Sequence, residues 1–375
     1  MADDPRGSGL GWVSRPSLGA SGPRERFDAP LAELTTLGLG GPAGRLIEAS
    51  TEQEVLEAVA TADARGEPLL VIAGGSNLVI ADAGFDGTVL RIIPRGVVVK
   101  DRGDRVELRV AAGEPWDALV ARCVADGLAG IECLAGIPGF TGATPIQNVG
   151  AYGQQVADTI ISVRVYDRKA RAVVELTGRQ CAFAYRTSRL RRSARYVVLG
   201  VSFALERSAV GRPVRYPELA RALGIELGDR PPLLAVHGAV LALRRRKGMV
   251  IDPRDPDSRS AGSFFVNPVL SAEEFLHLGR RVAQRLGAQV RPPAWPEAHG
   301  RIKTSAAWLI EWAGFDRGYG EGRVGISSKH TLALVNRGGA TSAELLSLAR
   351  ELRGGVLEAF GLGLEPEPTL VGAAL

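Results

Sequence analysis

The sequence is poor in the residues that build metal and disulfide sites. Its 375 residues include three cysteines, Cys123, Cys133 and Cys181, and four histidines, His237, His277, His299 and His330. No cysteines form a CxxC pair and no histidines fall into an HExxH spacing, which disfavours a disulfide framework, a zinc knuckle and a catalytic zinc site. We expect buried free thiols and no metal. Lysine is scarce too: Lys100, Lys169, Lys247, Lys303 and Lys329 stand among forty-one arginines. Where composition favours arginine, a retained lysine can mark a site that needs a compact point charge.

Long apolar runs are also missing. "LLAVHGAVLAL" (233–243) is shorter than the ~18 residues of a membrane span, and the start "MADD" has no basic or apolar leader. The expectation is a cytoplasmic protein. The net charge is +5, yet basic residues cluster only in "RTSRLRRSAR" (186–195) and "RRRK" (244–247). Nucleic-acid binding would want a basic stripe with interleaved aromatics. Neither nucleic acid nor membrane is expected as a partner, whereas a small anionic ligand fits.

What is present is ordinary globular material, 45% hydrophobic and 23% charged, in a length that allows two or three domains. Residues 1–26, rich in Gly, Pro, Ser and Arg, read as a disordered extension. A first region, 27–207, opens near "LAELTTLGLGG". Thr51 and Glu54 predict a capping box for a helix through about Asp63, followed by a strand in "EPLLVIA" and the turn "GGSN". Strands in "GTVLRII", "RVELRVAAG", "ISVRVYDR", "AVVELT" and "RYVVLGVSFAL", and a helix in "PWDALVARCVADG", complete it. Residues 208–231 read as a linker containing "VRYPEL". A second region, 232–360, has helices in "LLAVHGAVLALRRRK", "SAEEFLHLGRRVAQRLG", "TSAAWLIEWAG" and "TSAELLSLARELRGGVLEAF", with a strand in "TLALVN"; a tail, 361–375, closes the chain. The class is α+β in the first region and α/β-like in the second.

Two glycine-rich segments suggest a ligand. In "VIAGGSNLVI" the turn residues Gly74, Gly75, Ser76 and Asn77, ahead of Leu78, could form a nest of N–H groups for a pyrophosphate; taken alone, the fragment favours a plain bend. The segment 130–154 is too broken for a regular element and too apolar for a disordered linker. It sets Gly139, Gly142, Gly150 and Gly153 among polar Thr141, Thr144, Gln147 and Asn148, with Ile137, Pro138 and Val149 as apolar wall, a mixture suited to a flat cofactor with hydrogen-bonding edges. No GxGxxG follows a strand, so a Rossmann site is disfavoured.

Taken in order and spacing, "GGSN", "IPGFTGATPIQNVGAYG", "FAYRTS", "AGSFFVNP" and "LEPEP" resemble the UDP-N-acetylenolpyruvoylglucosamine reductase family over about residues 30–372. The resemblance implies a two-subdomain FAD-binding domain of the vanillyl-alcohol-oxidase type over 27–207, a Tyr loop in 208–231, a C-terminal α/β substrate-binding domain over 232–360 and a tail returning to the active site. It implies non-covalent FAD, NADPH as co-substrate, a cytoplasmic monomer and UDP-N-acetyl-3-O-(1-carboxyvinyl)-glucosamine as substrate, reduced by hydride passed from NADPH to flavin N5 and on to the enolpyruvyl double bond. Cofactor contacts are implied for residues 74–78, Ile137, Gly139, Thr141, Gly142, Ala143, Thr144, Gln147, Asn148, Gly150, Ala151 and Tyr185.

Three catalytic roles are implied by the match. Arg186 aligns with the arginine that holds the substrate carboxylate and developing enolate, a task for its planar fork. Ser263 aligns with the general acid, although an unassisted hydroxyl is a poor one. Glu367 aligns with the second Glu of the "EPE" signature; beside an enolate its charge must be neutralised, by Arg186 or by a raised pKa. Tyr216, Lys247, Asn267 and His330 match positions lining the UDP-sugar, and Tyr216 suggests the subclass with a closing Tyr loop. Departures are Val266 where relatives are often polar, Thr187 where Asp is frequent, and "TTLGLGG" in place of an Asn-Thr start. A flavin oxidase of the same fold and a non-catalytic nucleotide-sugar sensor are the alternatives. The absence of any histidine before His237 disfavours a histidine-linked flavin, and the intact trio disfavours the sensor.

Overall fold

The computed structural model describes residues 22–375. Most of the expected extension therefore lies outside the described residues, but Arg24–Pro30 is a strand, so folded structure begins before the "LAELTTLGLGG" segment. The chain forms two compact units: Ile47–Ala73 with Val89–Leu243, and Arg26–Leu46 with Gly74–Thr88 and Arg244–Leu375. Residues 27–46 and 74–88, within the first region of the linear reading, thus belong to the second unit.

The first unit is built on an antiparallel sheet in the order Ala172–Thr177, Ile160–Asp167, Tyr196–Arg207, Arg105–Ala111, Val97–Asp101, with Leu128–Ala129 pairing the end of Tyr196–Arg207. The register sets Val163 opposite Val201, Val201 opposite Val110 and Phe203 opposite Leu108, and all are buried. Alternation within each strand puts these residues on one face. Trp116 opens the helix Trp116–Ala125 and packs on Phe203 with ring centroids 5.8 Å apart, its Nε1–H donating to the Leu134 carbonyl at 3.2 Å. The helix Glu52–Arg65 has the expected capping box of Thr51 and Glu54, buries Val55, Ala58, Val59 and Ala62 at helical spacing, and ends at left-handed Gly66.

In the second unit Ser260–Ser263, Ala333–Asn336 and Val324–Ile326 form an antiparallel sheet. The long helix Ser342–Phe360, capped by Thr341 and Glu344 as expected, buries Leu345, Leu352, Val356 and Phe360 in a cluster with Phe264, Phe265, Ile326 and Leu334. Its N-terminus binds a carboxylate from the strand region just after the "GGSN" turn. The N–H groups of Ser342 and Ala343 donate to Asp82 at 2.7 and 2.9 Å, a favourable use of the positive helix end. Leu78–Ile80 is thereby fixed at its C-terminal end, and it also pairs in parallel along its length with the last strand, Thr369–Val371.

All three cysteines are free and buried. Burial pushes the thiols of Cys123 and Cys133 well above the usual range and that of Cys181 up to about 11, so each is an inert apolar group.

Candidate active site

In the first unit the Gly-rich loop is stitched to the sheet by main chain. Thr141 and Gly142 donate N–H bonds to the carbonyls of Glu114 and Ala112 at 2.8 and 2.9 Å, and Gly139 accepts from Trp116 at 3.0 Å. A Cβ at Gly142 would stand 2.5 Å from Ala112 Cβ, so only glycine permits this approach. Thr141, Thr144 and Asn148 are buried, and their polar groups tie the loop to itself and to neighbouring segments. The hydroxyls donate to the Glu114 and Thr141 carbonyls; Asn148, at φ 50°, donates to Gln155 Oε1 and the Ala184 carbonyl and accepts from the Ala157 N–H. Ala143 ends the short turn Thr141–Ala143, Gln147 is half-buried, and Ile137, Val149 and Ala151 rest on the core. Gly150–Ala151 pairs with Gln154–Gln155 in a hairpin.

Arg186 lies against that hairpin: a Cβ on Gly150 would be 3.4 Å from its Nη1. Its backbone takes φ 53°, a costly conformation for a residue with a side chain, inside a turn closed by reciprocal bonds between Ala184 and Thr187. Arg191 Nη1 donates to the Arg186 carbonyl at 2.9 Å, and the Arg186 guanidinium carbon is 5.7 Å from the centroid of the Tyr185 ring. Tyr216 packs edge-on against Tyr152 with centroids 5.4 Å apart; partial burial and the nearby Glu218 carboxylate raise its phenol pKa, keeping it a hydroxyl donor at neutral pH.

The second unit gathers most of the other candidates. Gly75 turns at φ 61°, where a Cβ would fall 1.7 Å from the Leu34 carbonyl oxygen, and its own carbonyl accepts from Thr36. Gly74, Ser76 and Asn77 complete the turn into Leu78. Ser263 ends a strand next to Gly262, which needs its positive φ of 74° but would meet nothing with an added Cβ, so that side is open. Phe264 and Phe265 are buried edge to face at 5.2 Å, each burial contributing roughly 1.5–3 kcal/mol.

The tail then runs antiparallel to this segment. Val266 donates to the Glu365 carbonyl at 3.0 Å and Glu367 donates to the Phe264 carbonyl at 2.9 Å, while Glu365 itself is exposed. Asn77 Nδ2 donates to the Glu367 carbonyl at 3.3 Å. One unit therefore brings together the Gly-Gly turn, Ser263 and Glu367, segments far apart in sequence. Asn267 uses Oδ1 to accept the Ala306 N–H at 2.9 Å, which leaves its Nδ2 amino group as a donor. His330 Nδ1 accepts the Leu332 N–H at 3.0 Å, so the neutral ring carries its proton on Nε2. Lys247 is half-buried just beyond the helix Leu233–Arg246.

Sequence reasoning missed Asp82, which anchors the helix, and the tail pairing made by main-chain groups. An Asp shortly after the turn was visible; its target was not.

Comparison with known proteins agrees with this geometry. An FAD binding domain model matches residues 43–175, and the fold, at TM-score 0.52 and 15% identity over 93% of this chain and 90% of the other, is that of 6-hydroxy-D-nicotine oxidase from Arthrobacter nicotinovorans. The chain is thus an FAD-binding flavoprotein. The C-terminal domain model of UDP-N-acetylenolpyruvoylglucosamine reductase matches residues 253–371. Proteins of that name from Thermobifida fusca and Streptomyces coelicolor are 57% and 58% identical, covering 93% and 97% of this chain and 98% and 94% of their own. The solved reductase from Thermus caldophilus shares 25% identity at TM-score 0.62, covering 93% of this chain and 98% of its own. The chain belongs to the UDP-N-acetylenolpyruvoylglucosamine reductase family, as the motif order implied.

Proposed function

We propose that this chain reduces the enolpyruvyl double bond of UDP-N-acetylenolpyruvoylglucosamine to give UDP-N-acetylmuramate, a step of peptidoglycan precursor synthesis, with NADPH as electron source. The observation that carries the reading is the tail pairing, which sets Glu367 beside the Ser263–Phe264 segment and the Gly-Gly turn. Residues 74–78 and the loop residues from Ile137 to Ala151 fit FAD chiefly through main chain: their glycines allow close approach, while Thr141, Thr144 and Asn148 hold the loop in shape. Bound FAD, once reduced by NADPH, supplies the hydride.

The chain's own residues handle the charge that follows. Hydride arriving at the terminal carbon leaves an enolate on the neighbouring carbon and its carboxylate. Arg186 clamps that carboxylate with its fork, and Tyr185 braces the guanidinium. Ser263 gives its proton to the enolate carbon, and Glu367, held by backbone bonds on both sides, orients the reacting end. Tyr216, Lys247, the Asn267 amino group and the Nε2–H of His330 bind the UDP-sugar, whose pyrophosphate suits a compact cation. The enzyme works as a cytoplasmic monomer on this small molecule, with no nucleic acid or membrane partner.

The test is anaerobic. The purified protein should absorb near ~370 and ~450 nm, NADPH should bleach these bands, and the enolpyruvyl substrate should restore them. A flavin left oxidised by NADPH would sink the proposal and favour an oxidase; one reduced but never reoxidised by the substrate would favour a sensor.

A further inference from the structure

We infer that Glu132 is a positioning residue that joins the Gly-rich loop to the segment carrying Tyr216. The inference rests on the reading above, in which the loop serves the flavin and Tyr216 the UDP-sugar. Glu132 is completely buried, at 0% exposure, and makes no ion pair among the described residues. Its carboxylate instead collects three N–H donors: Gly130 at 2.6 Å, Gln154 Nε2 at 2.9 Å and the backbone of Arg212 at 2.8 Å. Gln154 cannot turn away, because its Oε1 accepts the Cys133 N–H at 2.9 Å. A buried carboxylate is tolerated only when its oxygens are satisfied in this way.

The three donors come from three places that matter. Gly130 begins the loop, Gln154 lies on the far strand of its hairpin, and Arg212 leads towards Tyr216. The Tyr216 segment is closed at its neck, where Gly211 donates to the Pro231 carbonyl at 2.8 Å and Val214 to Asp229 at 2.9 Å. Glu132 holds that neck. The hairpin tip holds the other end: Tyr152 packs on Tyr216, and a Cβ on Gly153 would be 3.2 Å from Arg215 Cβ. For stability alone, an apolar side chain would fill the space; a carboxylate fixes two backbone N–H groups and one side-chain amide at once.

A double-mutant cycle tests the inference in the flavin-loaded enzyme, read as KM and kcat for the enolpyruvyl UDP-sugar. Glu132→Gln exchanges one acceptor oxygen for a donor, which opposes an N–H at whichever side it faces. It should raise KM about tenfold while kcat stays within about threefold. Combined with Tyr216→Ala, which itself raises KM, it should add less than about twofold, because both act on one segment. Additive effects, an unchanged KM in Glu132→Gln, or an unchanged KM in Tyr216→Ala would each overturn the inference. Should Glu132→Gln fail to fold, Gly211→Ala takes its place, since the new Cβ would press on Glu132 Oε1 at 3.2 Å; the same coupled KM rise is expected and its absence refutes the role. A wild-type enzyme that does not turn over this substrate overturns the functional reading and this inference together, whereas normal wild-type turnover with additive variants overturns the inference alone.

Discussion

Asn77 and Glu367 are 290 residues apart in sequence and joined by a hydrogen bond of 3.3 Å from the Asn77 side-chain amide to the Glu367 carbonyl. The Asn77 carbonyl in turn accepts the Thr369 N–H at 3.0 Å. The turn assigned to the cofactor and the main chain that carries Glu367 are therefore tied together by one residue. Asn77→Ala should keep the Glu367 N–H bond to Phe264 but loosen the carbonyl side. We expect flavin reoxidation by the substrate to slow about tenfold, since small misplacements of reacting groups are costly. Stopped-flow absorbance after NADPH reduction measures this; a rate equal to wild type would mean the bond has no positioning role.

Ser263 is half-buried at the end of its strand and, among the described residues, its hydroxyl has no hydrogen-bond partner. A hydroxyl without a protein partner is available to a ligand. Ser263→Ala should leave reduction by NADPH unchanged and slow reoxidation by roughly 10²- to 10⁴-fold, the range for a positioned general acid. Both half-reactions can be followed at the same wavelength, and unchanged reoxidation would remove Ser263 from the role.

Helices and strands were legible because their signals are local. Thr51 with Glu54 and Thr341 with Glu344 announce their caps within four residues, and both caps form. The motifs disclosed the family for the same reason. What the sequence hid is made by groups that every residue carries. The antiparallel run of residues 365–367 along 264–266 is main-chain hydrogen bonding, indifferent to side chains, and nothing in "LEPEP" names its partner. The side-chain bonds of the loop were hidden as well: Thr141, Thr144 and Asn148 have the chemistry of ligand anchors, and they also donate to the carbonyls of Glu114, Thr141 and Ala184, two of which lie outside the loop. Glu132 was silent, since a lone Glu in an apolar segment looks like any other until its three donors are seen.

Arg186 combines a strained backbone with the guanidinium fork proposed to clamp the substrate carboxylate, and the two can be separated. Lysine in its place would bear the same left-handed φ of 53°, so stability should change little. It would keep the charge but lose bidentate geometry. Arg186→Lys should therefore melt within a few degrees of wild type while reoxidation by the substrate falls about 10- to 100-fold, as when an electrostatic clamp is weakened. A variant that unfolds early would show that the guanidinium is structural.

The turn after the strand Ile160–Asp167 offers a test by pH. Asp167 has its carboxyl pulled down to about 2, first by the hydrogen bond from Arg195, against an opposing effect of burial, and further by the N–H groups of Ala170 and Lys169. In the unfolded chain an aspartate titrates near about 3.9. The folded value is the lower one, so the native state favours the ionised form, and this stabilisation is complete above the unfolded value and lost as pH falls towards about 2. Asp167→Asn should therefore melt below wild type at neutral pH, with the gap closing as both are acidified from about pH 5 to about pH 2. Arg195→Gln should move that closure to higher pH, because the carboxylate loses its principal donor. Thermal midpoints followed by circular dichroism across this range decide the matter: a gap between wild type and Asp167→Asn that is independent of pH would show that packing, and not the charged pair, holds the turn.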